Sequence, residues 1–268
     1  MVSFPNAKVN LGLKILRRRP DGYHDLSTVF YPVPVKDVLE VLHAPANSFT
    51  SYGMAIPEGK QANLCEQAYQ LLKADFPTLP TVQIHLYKNI PIGAGLGGGS
   101  ADGAFTLMAL NEQFQLGLDA SRLIDYAAKL GSDCPFFILN TPCLGSGRGE
   151  RLEPITLDLS TYTFVLVNPG IHISTARAFS LITPREEGVA LRSIVQQPVP
   201  SWRGLLTNDF EEPVFALHPE LREIKEVLYA QGAVYCSLTG SGSSFYGIFE
   251  KADTPSSLPL SWNYRILP

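Results

Sequence analysis

Gly93, Gly95, Gly97, Gly98 and Gly99 stand directly before Ser100 and a helical spacing of apolar residues, Ala104, Leu107, Met108 and Leu110. Upstream, Val82-Gln83-Ile84-His85-Leu86 alternates with period two, as a half-buried strand does. The segment therefore reads as strand, glycine loop, helix. A backbone without Cβ atoms can curl until several N–H groups converge on one anion, and the helix start adds the positive end of its dipole. A flexible surface linker shares the composition but does not feed straight into an apolar-faced helix.

Two common phosphate loops fail the context test. GxGxxG is matched through Gly93, Gly95 and Gly98. A dinucleotide fold, and with it an oxidoreductase, also needs an acidic residue closing a following strand about 20 residues on. That window holds helix and the polar loop near Asp119. A Walker A loop ends in Lys-Ser or Lys-Thr, and no such pair closes this one. What remains is Pro-x-x-x-Gly-Leu-Gly-x-Gly-Ser-Ala, from Pro91 to Ala101.

Composition narrows the setting. With 268 residues, 45% hydrophobic and 17% charged, the chain is neither disordered, collagenous nor a coiled coil, and it can fill one large domain or two. A net charge of −4 offers no diffuse cationic surface for nucleic acid, so phosphate must be held by locally aimed groups. Cys65, Cys134, Cys143 and Cys236 are scattered, and neither they nor the histidines show zinc-ligand spacing. No apolar run approaches the ~20 residues of a membrane span. Lys8 and Lys14 interrupt the first apolar stretch, unlike a signal peptide. The expectation is a soluble cytoplasmic protein with no nucleic-acid or membrane partner.

Along the chain, Lys8–Leu16 reads as a strand halted by the Pro20–Gly22 turn. Val29–Val33 and Val38–Leu42 read as short strands interrupted by Pro32 and Pro34. Gln61–Lys73 is helical by spacing, and Ala120–Leu130 is a helix with Asp119 as its cap and Gly131 past its end. Pro135 marks another helix start, with Ser132 or Asp133 near the N-cap. After the loop-rich 145–154 stretch come a strand at Phe164–Val167, a helix at Pro219–Gln231, and strands at Val234–Leu238 and Phe245–Phe249. The mixture predicts an α+β fold in two lobes, cut near residue 155 into 1–155 and 156–268.

The Pro91–Ala101 string resembles the phosphate-binding motif of the GHMP kinase superfamily, which includes galactokinase, homoserine kinase and mevalonate kinase. Asn6-Ala7-Lys8-Val9-Asn10-Leu11 is similar to its N-terminal motif and Thr239-Gly240-Ser241-Gly242 to its C-terminal glycine motif. Asp21-Gly22-Tyr23-His24, Gly131-Ser132-Asp133-Cys134-Pro135-Phe136-Phe137 and Pro169-Gly170 with Ser174-Thr175 and Phe179 resemble the branch acting on cytidine-diphosphate methylerythritol. Ala94 stands where glycine is usual, and Ala101 and Thr239 where serine is usual.

The resemblance implies a two-lobed, mixed and antiparallel fold with the active site in the cleft between the lobes. It implies an N-terminal ATP-binding domain, a C-terminal substrate-side domain, ATP as co-substrate, Mg²⁺, and a monomer or weak homodimer. Pro91, Gly93, Gly95, Leu96, Gly97, Gly98, Gly99, Ser100 and Ala101 would bind the ATP phosphates, with Ser100 also a Mg²⁺ ligand. Asp133 would be the base and Lys8 its partner, holding the carboxylate ionised and lowering the hydroxyl's pKa. Asn10 would meet the substrate's polyol or diphosphate. Tyr23 and Phe179 would stack on the cytosine, with His24 at its edge and Thr175 nearby.

The residues alone leave other readings open. Asp133 and Ser100 also fit helix caps, Lys8 a solvated strand position, and the Tyr23-His24 pair mere surface. Arg17, Arg18 and Arg19 read as solvated charge beside a turn. The adenine pocket is expected around Asn63 and Lys88. Another small-molecule kinase of the superfamily, or a nucleotide-binding relative without catalysis, are the alternatives. Joint presence of Lys8 and Asp133 speaks against the second.

Overall fold

In the computed structural model, which describes residues 1–57, 62–185, 190–258 and 262–267, strands and helices follow one another in mixed order. The chain begins with β1 (Val2–Ser3), β2 (Asn6–Arg18), β3 (His24–Lys36), β4 (Val38–His43) and β5 (Ser48–Gly53). It continues through α1 (Leu64–Asp75), β6 (Val82–Lys88), α2 (Gly98–Gln113), α3 (Ala120–Leu130) and α4 (Cys134–Leu139). Then come β7 (Cys143–Ser146), β8 (Arg151–Pro154), β9 (Tyr162–Asn168), α5 (Thr175–Ser180) and α6 (Leu191–Val195). The last elements are α7 (Glu211–Leu217), α8 (Arg222–Ala230), β10 (Tyr235–Leu238), β11 (Phe245–Glu250) and β12 (Asn263–Leu267).

Two compact units form, and their boundary is not a single cut near residue 155. The first holds Met1–Lys8, Pro32–Ile92 and Gly97–Thr141, the second Val9–Tyr31, Gly93–Leu96 and Pro142–Pro268. The reason lies in β2 and β3. At 13 residues each they exceed the usual strand of about 5–6, and each gives residues to both units.

In the first unit a sheet of order β1-β4-β6-β5 carries α1 to α4. Strand β6 buries Val82, Ile84, Leu86 and Lys88 in strict alternation, against Leu39 and Val41 of β4. Ala68 and Leu72 of α1, Leu107 and Leu110 of α2, and Phe136 and Phe137 of α4 complete its core. In the second unit β10-β11-β9-β12 form an antiparallel sheet. Val165, Val167, Phe245 and Phe249 pack there with Phe210, Val214, Ile224 and Leu228. A further sheet has the order β2-β3-β7-β8.

Asp119 caps α3 by accepting from Arg122 N at 2.9 Å. The prolines of β3 do not stop it. The β3 ladder with β7 spans Thr28–Phe30, so Pro32 and Pro34 lie beyond it and forfeit no bond to β7. The expected 219–231 helix opens as a 3₁₀ turn, Pro219–Leu221, before α8. The helix expected from Gln61 starts at Leu64; Gln61 itself lies outside the described residues. Among the described residues no helix is long and apolar enough to cross a membrane.

Asn63 has a local duty at the start of α1. Its side chain accepts from Cys65 N at 2.9 Å, and the Glu66 carboxylate accepts from Asn63 N at 3.1 Å, a reciprocal capping box. Asn63→Ala is therefore expected to cost about 1 kcal/mol in chemical denaturation while leaving the dissociation constant for ATP unchanged. A weakened ATP affinity at unchanged stability would return Asn63 to the adenine pocket.

Candidate active site

Lys8 lies in β2, 3% exposed, so its ammonium needs a counter-charge within the fold. Asp133 supplies it, with Oδ2 at 3.3 Å from Nζ. Asp133 occupies the N-cap position of α4, yet its side chain makes no capping bond. The carboxylate instead faces Lys8 and keeps 33% of its surface exposed, against 4% for the lysine side chain. An anion that is both paired and reachable is what a proton acceptor requires.

The glycine loop runs past this pair. Gly97 is the N-cap of α2 with φ +71°, and a Cβ there would lie 3.1 Å from Lys8 Cε and 2.9 Å from Phe137 Cζ. Only a residue without a side chain lets the lysine stem pass. The N–H groups of Gly98, Gly99 and Ser100 open the helix and have no acceptor a turn earlier within it, which makes them available to an anion. Ala101 differs from the expectation. Its N–H already donates to Gly97 O at 2.9 Å and its side chain is fully buried, so it anchors the helix and has no phosphate donor to offer. Ser100 is not the cap either; its hydroxyl neighbours the thiol of Cys134, which burial pushes up to about 12.

In the second unit the loop residues 93–96 meet the C-terminal glycine motif. Thr239 Oγ1 donates to Gly95 O at 3.1 Å, Ser244 N donates to Ala94 O at 3.2 Å, and a Cβ on Gly95 would land on the Thr239 carbonyl. Asn10 holds the other side of that motif. Its Oδ1 accepts from Gly240 N at 2.9 Å, its Nδ2 donates to Thr28 Oγ1 at 3.0 Å, and its N–H donates to Thr239 Oγ1 at 3.1 Å. At 1% exposure Asn10 clasps protein groups. Asn208, absent from the sequence motifs, donates to Leu238 O and Gly240 O, each at 2.9 Å. Its signal was a polar Asn208-Asp209 pair before an apolar-faced segment.

The aromatic residues also gather in the second unit, in an altered arrangement. Instead of Tyr23 facing Phe179 across open space, the His24 ring lies on Phe179, centroids 4.9 Å apart and planes 18° off parallel. Phe179 in turn meets Phe210 edge-on at 4.8 Å. Tyr23 is 56% exposed beneath the Arg148 guanidinium, 4.9 Å away. Burial, helped by the charge of Arg18, holds His24 below the usual histidine value, so its ring is neutral at pH 7. Thr175 shares a 3.1 Å hydrogen bond with Ser241 of the glycine motif. Arg17 and Arg19 pair with Asp25, and Arg19 also with Asp21, on exposed surface.

Pro91 is half-buried and Leu96 buried, so both shape the loop rather than offer polar groups. Lys88 is 3% exposed and bound to Asp37 and Asp102, which removes it from the expected adenine pocket. Burial alone would lower its pKa, but Asp102 and Asp37 outweigh that and hold it above the usual lysine value. Burial pushes the Asp102 carboxyl up to about 8.

Residues 63–141 match the family model described as GHMP kinases N terminal domain, and 190–264 the one described as GHMP kinases C terminal. A protein of Bacteroides thetaiotaomicron named 4-diphosphocytidyl-2-C-methyl-D-erythritol kinase is 49% identical over 258 residues, 95% of this chain and 94% of that one. A protein of the same name from Azobacteroides pseudotrichonymphae is 50% identical over 259 residues, covering 95% and 96%. A crystal structure of 4-(cytidine 5'-diphospho)-2C-methyl-D-erythritol kinase matches with TM-score 0.78 at 35% identity, over 92% of this chain and 90% of that chain. A crystal structure of mevalonate kinase shares the fold at TM-score 0.69 and 12% identity, over 94% and 92%.

The glycines of the loop should not be equivalent. Gly97→Ala is expected to lower the melting temperature, because the new Cβ meets Phe137 and Lys8 at a positive φ. Gly99→Ala should melt at or above the parent, since its Cβ would meet only Leu64 Cδ1 at 4.0 Å and alanine favours helix. Equal melting of the two variants would show that Gly97 does not set the path of Lys8.

Proposed function

The chain belongs to the 4-diphosphocytidyl-2-C-methyl-D-erythritol kinase family of the GHMP kinases, and from that premise we propose the reaction, the substrates and the residues that act. The chain is a kinase. It transfers the γ-phosphoryl of ATP to the 2-hydroxyl of 4-(cytidine 5'-diphospho)-2-C-methyl-D-erythritol, giving the 2-phosphate and ADP. That places it in the non-mevalonate route to isoprenoid precursors, in the cytoplasm, where its buried free cysteines stay reduced.

The observation that carries this reading is the Lys8–Asp133 pair, in which a cap-position aspartate faces a buried lysine instead of its helix. As the substrate oxygen bonds to the γ-phosphorus, the bond from that phosphorus to the bridging oxygen breaks and ADP departs. The hydroxyl proton passes to Asp133. Lys8 stabilises the negative charge developing on the oxygen. The N–H groups of Gly98, Gly99 and Ser100 receive phosphate oxygens at the start of α2, with the helix dipole behind them. Phosphoryl transfer asks for little more than this positioning and charge stabilisation.

Mg²⁺ fits the donors present. It is a hard cation that keeps water and phosphate oxygens and needs few protein ligands, and the Ser100 hydroxyl in the first turn of α2 is an oxygen donor of that kind. Bound there, the ion would neutralise charge on the β- and γ-phosphates. At the other substrate, Tyr23, His24 and Phe179 recognise cytosine by stacking, with Thr175 beside them.

Transfer of label from γ-labelled ATP to the cytidine substrate, with the phosphorylated position read by phosphorus NMR, tests the reaction. Label on a different alcohol in a substrate panel, and none on this one, would assign the chain another acceptor within the superfamily. Asp133→Asn should lower kcat by at least ~10²-fold and leave the dissociation constant of ATP near the parent value. A variant retaining more than about a tenth of kcat would remove Asp133 from proton transfer.

Base recognition is best tested at Tyr23, whose exposure separates binding from folding. Tyr23→Ala should melt like the parent and lose ~1–3 kcal/mol in binding the cytidine substrate. Unchanged affinity for that substrate would exclude stacking at this position.

A further inference from the structure

Beneath the start of α2 lies a charged cluster that the chemistry above does not use. Strand β6 alternates Val82, Ile84, Leu86 inward, so parity carries Lys88 inward as well. On β4 the inward row Val41 and Leu39 continues to Asp37, one step beyond the Val38–Tyr87 pair and thus opposite Lys88. Asp102, in the second turn of α2, is the third member. The three are 3%, 0% and 2% exposed for Lys88, Asp37 and Asp102.

Their bonds reach both ends of the glycine loop. Asp37 accepts from Lys88 Nζ, and its Oδ1 accepts from Asn89 N at 2.5 Å and Ile90 N at 2.8 Å, where the chain leaves β6. Lys88 Nζ donates to Asp102 Oδ2 at 2.7 Å, where the chain has entered α2. A Cβ on Gly98 would stand 3.3 Å from that same ammonium. Asp102 Oδ1 is buried with no hydrogen-bond partner among the described residues. An apolar filling would avoid desolvating this ammonium and its carboxyl partners, and ionic clusters of this kind often cost stability relative to one.

We propose that Asp37, Lys88 and Asp102 form a positioning triad that fixes the distance between the strand end and the helix start, and so sets the phosphate loop for ATP without touching the nucleotide. Lys88 bridges the two carboxylates, one on each side of the loop. Releasing either end lets the first N–H groups of α2 drift from the phosphates, and misplacement of about 1 Å can cost roughly 10²-fold in rate. The proposal rests on the nucleotide-binding reading of the loop. Direct titration of the parent chain with ATP tests that reading first and separately.

The test compares Asp102→Ala, Asp102→Asn and the triple variant Asp37→Asn/Lys88→Met/Asp102→Leu by melting and by steady-state kinetics. Asp102→Ala should raise the KM for ATP about tenfold or more and leave the KM of the acceptor within about twofold. Asp102→Asn, which retains an oxygen for Lys88, should recover most of the loss. The triple variant replaces the ion pairs by apolar volume, keeps through Asp37→Asn an oxygen for Asn89 N and Ile90 N, and should melt near the parent while its KM for ATP remains raised. Loss in both KM values in step with melting temperature, or full recovery of ATP use by the triple variant, would reduce the triad to packing. If Asp102→Ala does not fold, Lys88→Arg decides. It keeps the charge but cannot repeat the geometry, so a raised KM for ATP supports the triad and an unchanged one overturns it.

Discussion

Burying an ammonium costs several kcal/mol unless a carboxylate stands against it, and among the described residues the first unit buries two. The surroundings of Lys8 and Lys88 differ in one respect that divides their work. Lys8 faces Asp133, which is one-third exposed, so the pair remains open to an approaching hydroxyl. Lys88 is enclosed between Asp37 and Asp102, whose side chains are 0% and 2% exposed. A proton acceptor must exchange its proton with something outside the fold, which suits the first arrangement. A fixed strut must not, which suits the second. Gly97 and Gly98 lie over the two lysines in turn, so the same few residues of backbone are placed by both.

The second unit solves a different problem, that of holding irregular backbone without a ladder. Buried N–H and C=O groups need partners wherever they lie. Around Thr239 and Gly240 those partners are side chains: Asn10 accepts from Gly240 N–H, Asn208 donates to two carbonyls, and Thr239 donates to Gly95. Glu211 extends the set by accepting from Leu238 N and Ser237 Oγ. Amides suit this work because each offers both a donor and an acceptor.

Local signals in the sequence served well where the physics is local. Period two located β6, helical spacing located α2 and α3, and Asp119 with Gly131 bounded α3. Pro135 after Asp133 marked α4 and left the aspartate at its cap position. What local signals lacked was knowledge of partners. Whether Pro32 breaks a strand depends on how far β7 reaches, and whether Lys8 is solvated depends on Asp133, far along the chain. Asn10 matched a motif, but only its contacts with Thr28 and Gly240 reveal the clasp it makes within the fold. The Lys88 triad was legible in part: the inward parity of 82, 84 and 86 extends to 88, and a lysine at a core position calls for carboxylates.

The glycine loop then follows from a requirement on its two close approaches. Leu96, 1% exposed, fixes the middle of the loop by burial. Gly95 passes the Thr239 carbonyl, and Gly97 passes the Lys8 stem, at spacings that admit no Cβ. Both adopt left-handed backbone, with φ +79° and +71°. Alternating left-handed with ordinary residues turns successive N–H groups toward one side of the chain, the concave arrangement that binds anions. Ala94 in place of glycine is tolerated because it precedes both approaches, has no left-handed backbone and is buried. The left-handed turns at Gly95 and Gly97 thus flank a buried leucine. On the proposed reading, a phosphate bound there would need few charged side chains, because backbone N–H groups and the start of α2 supply the positive end.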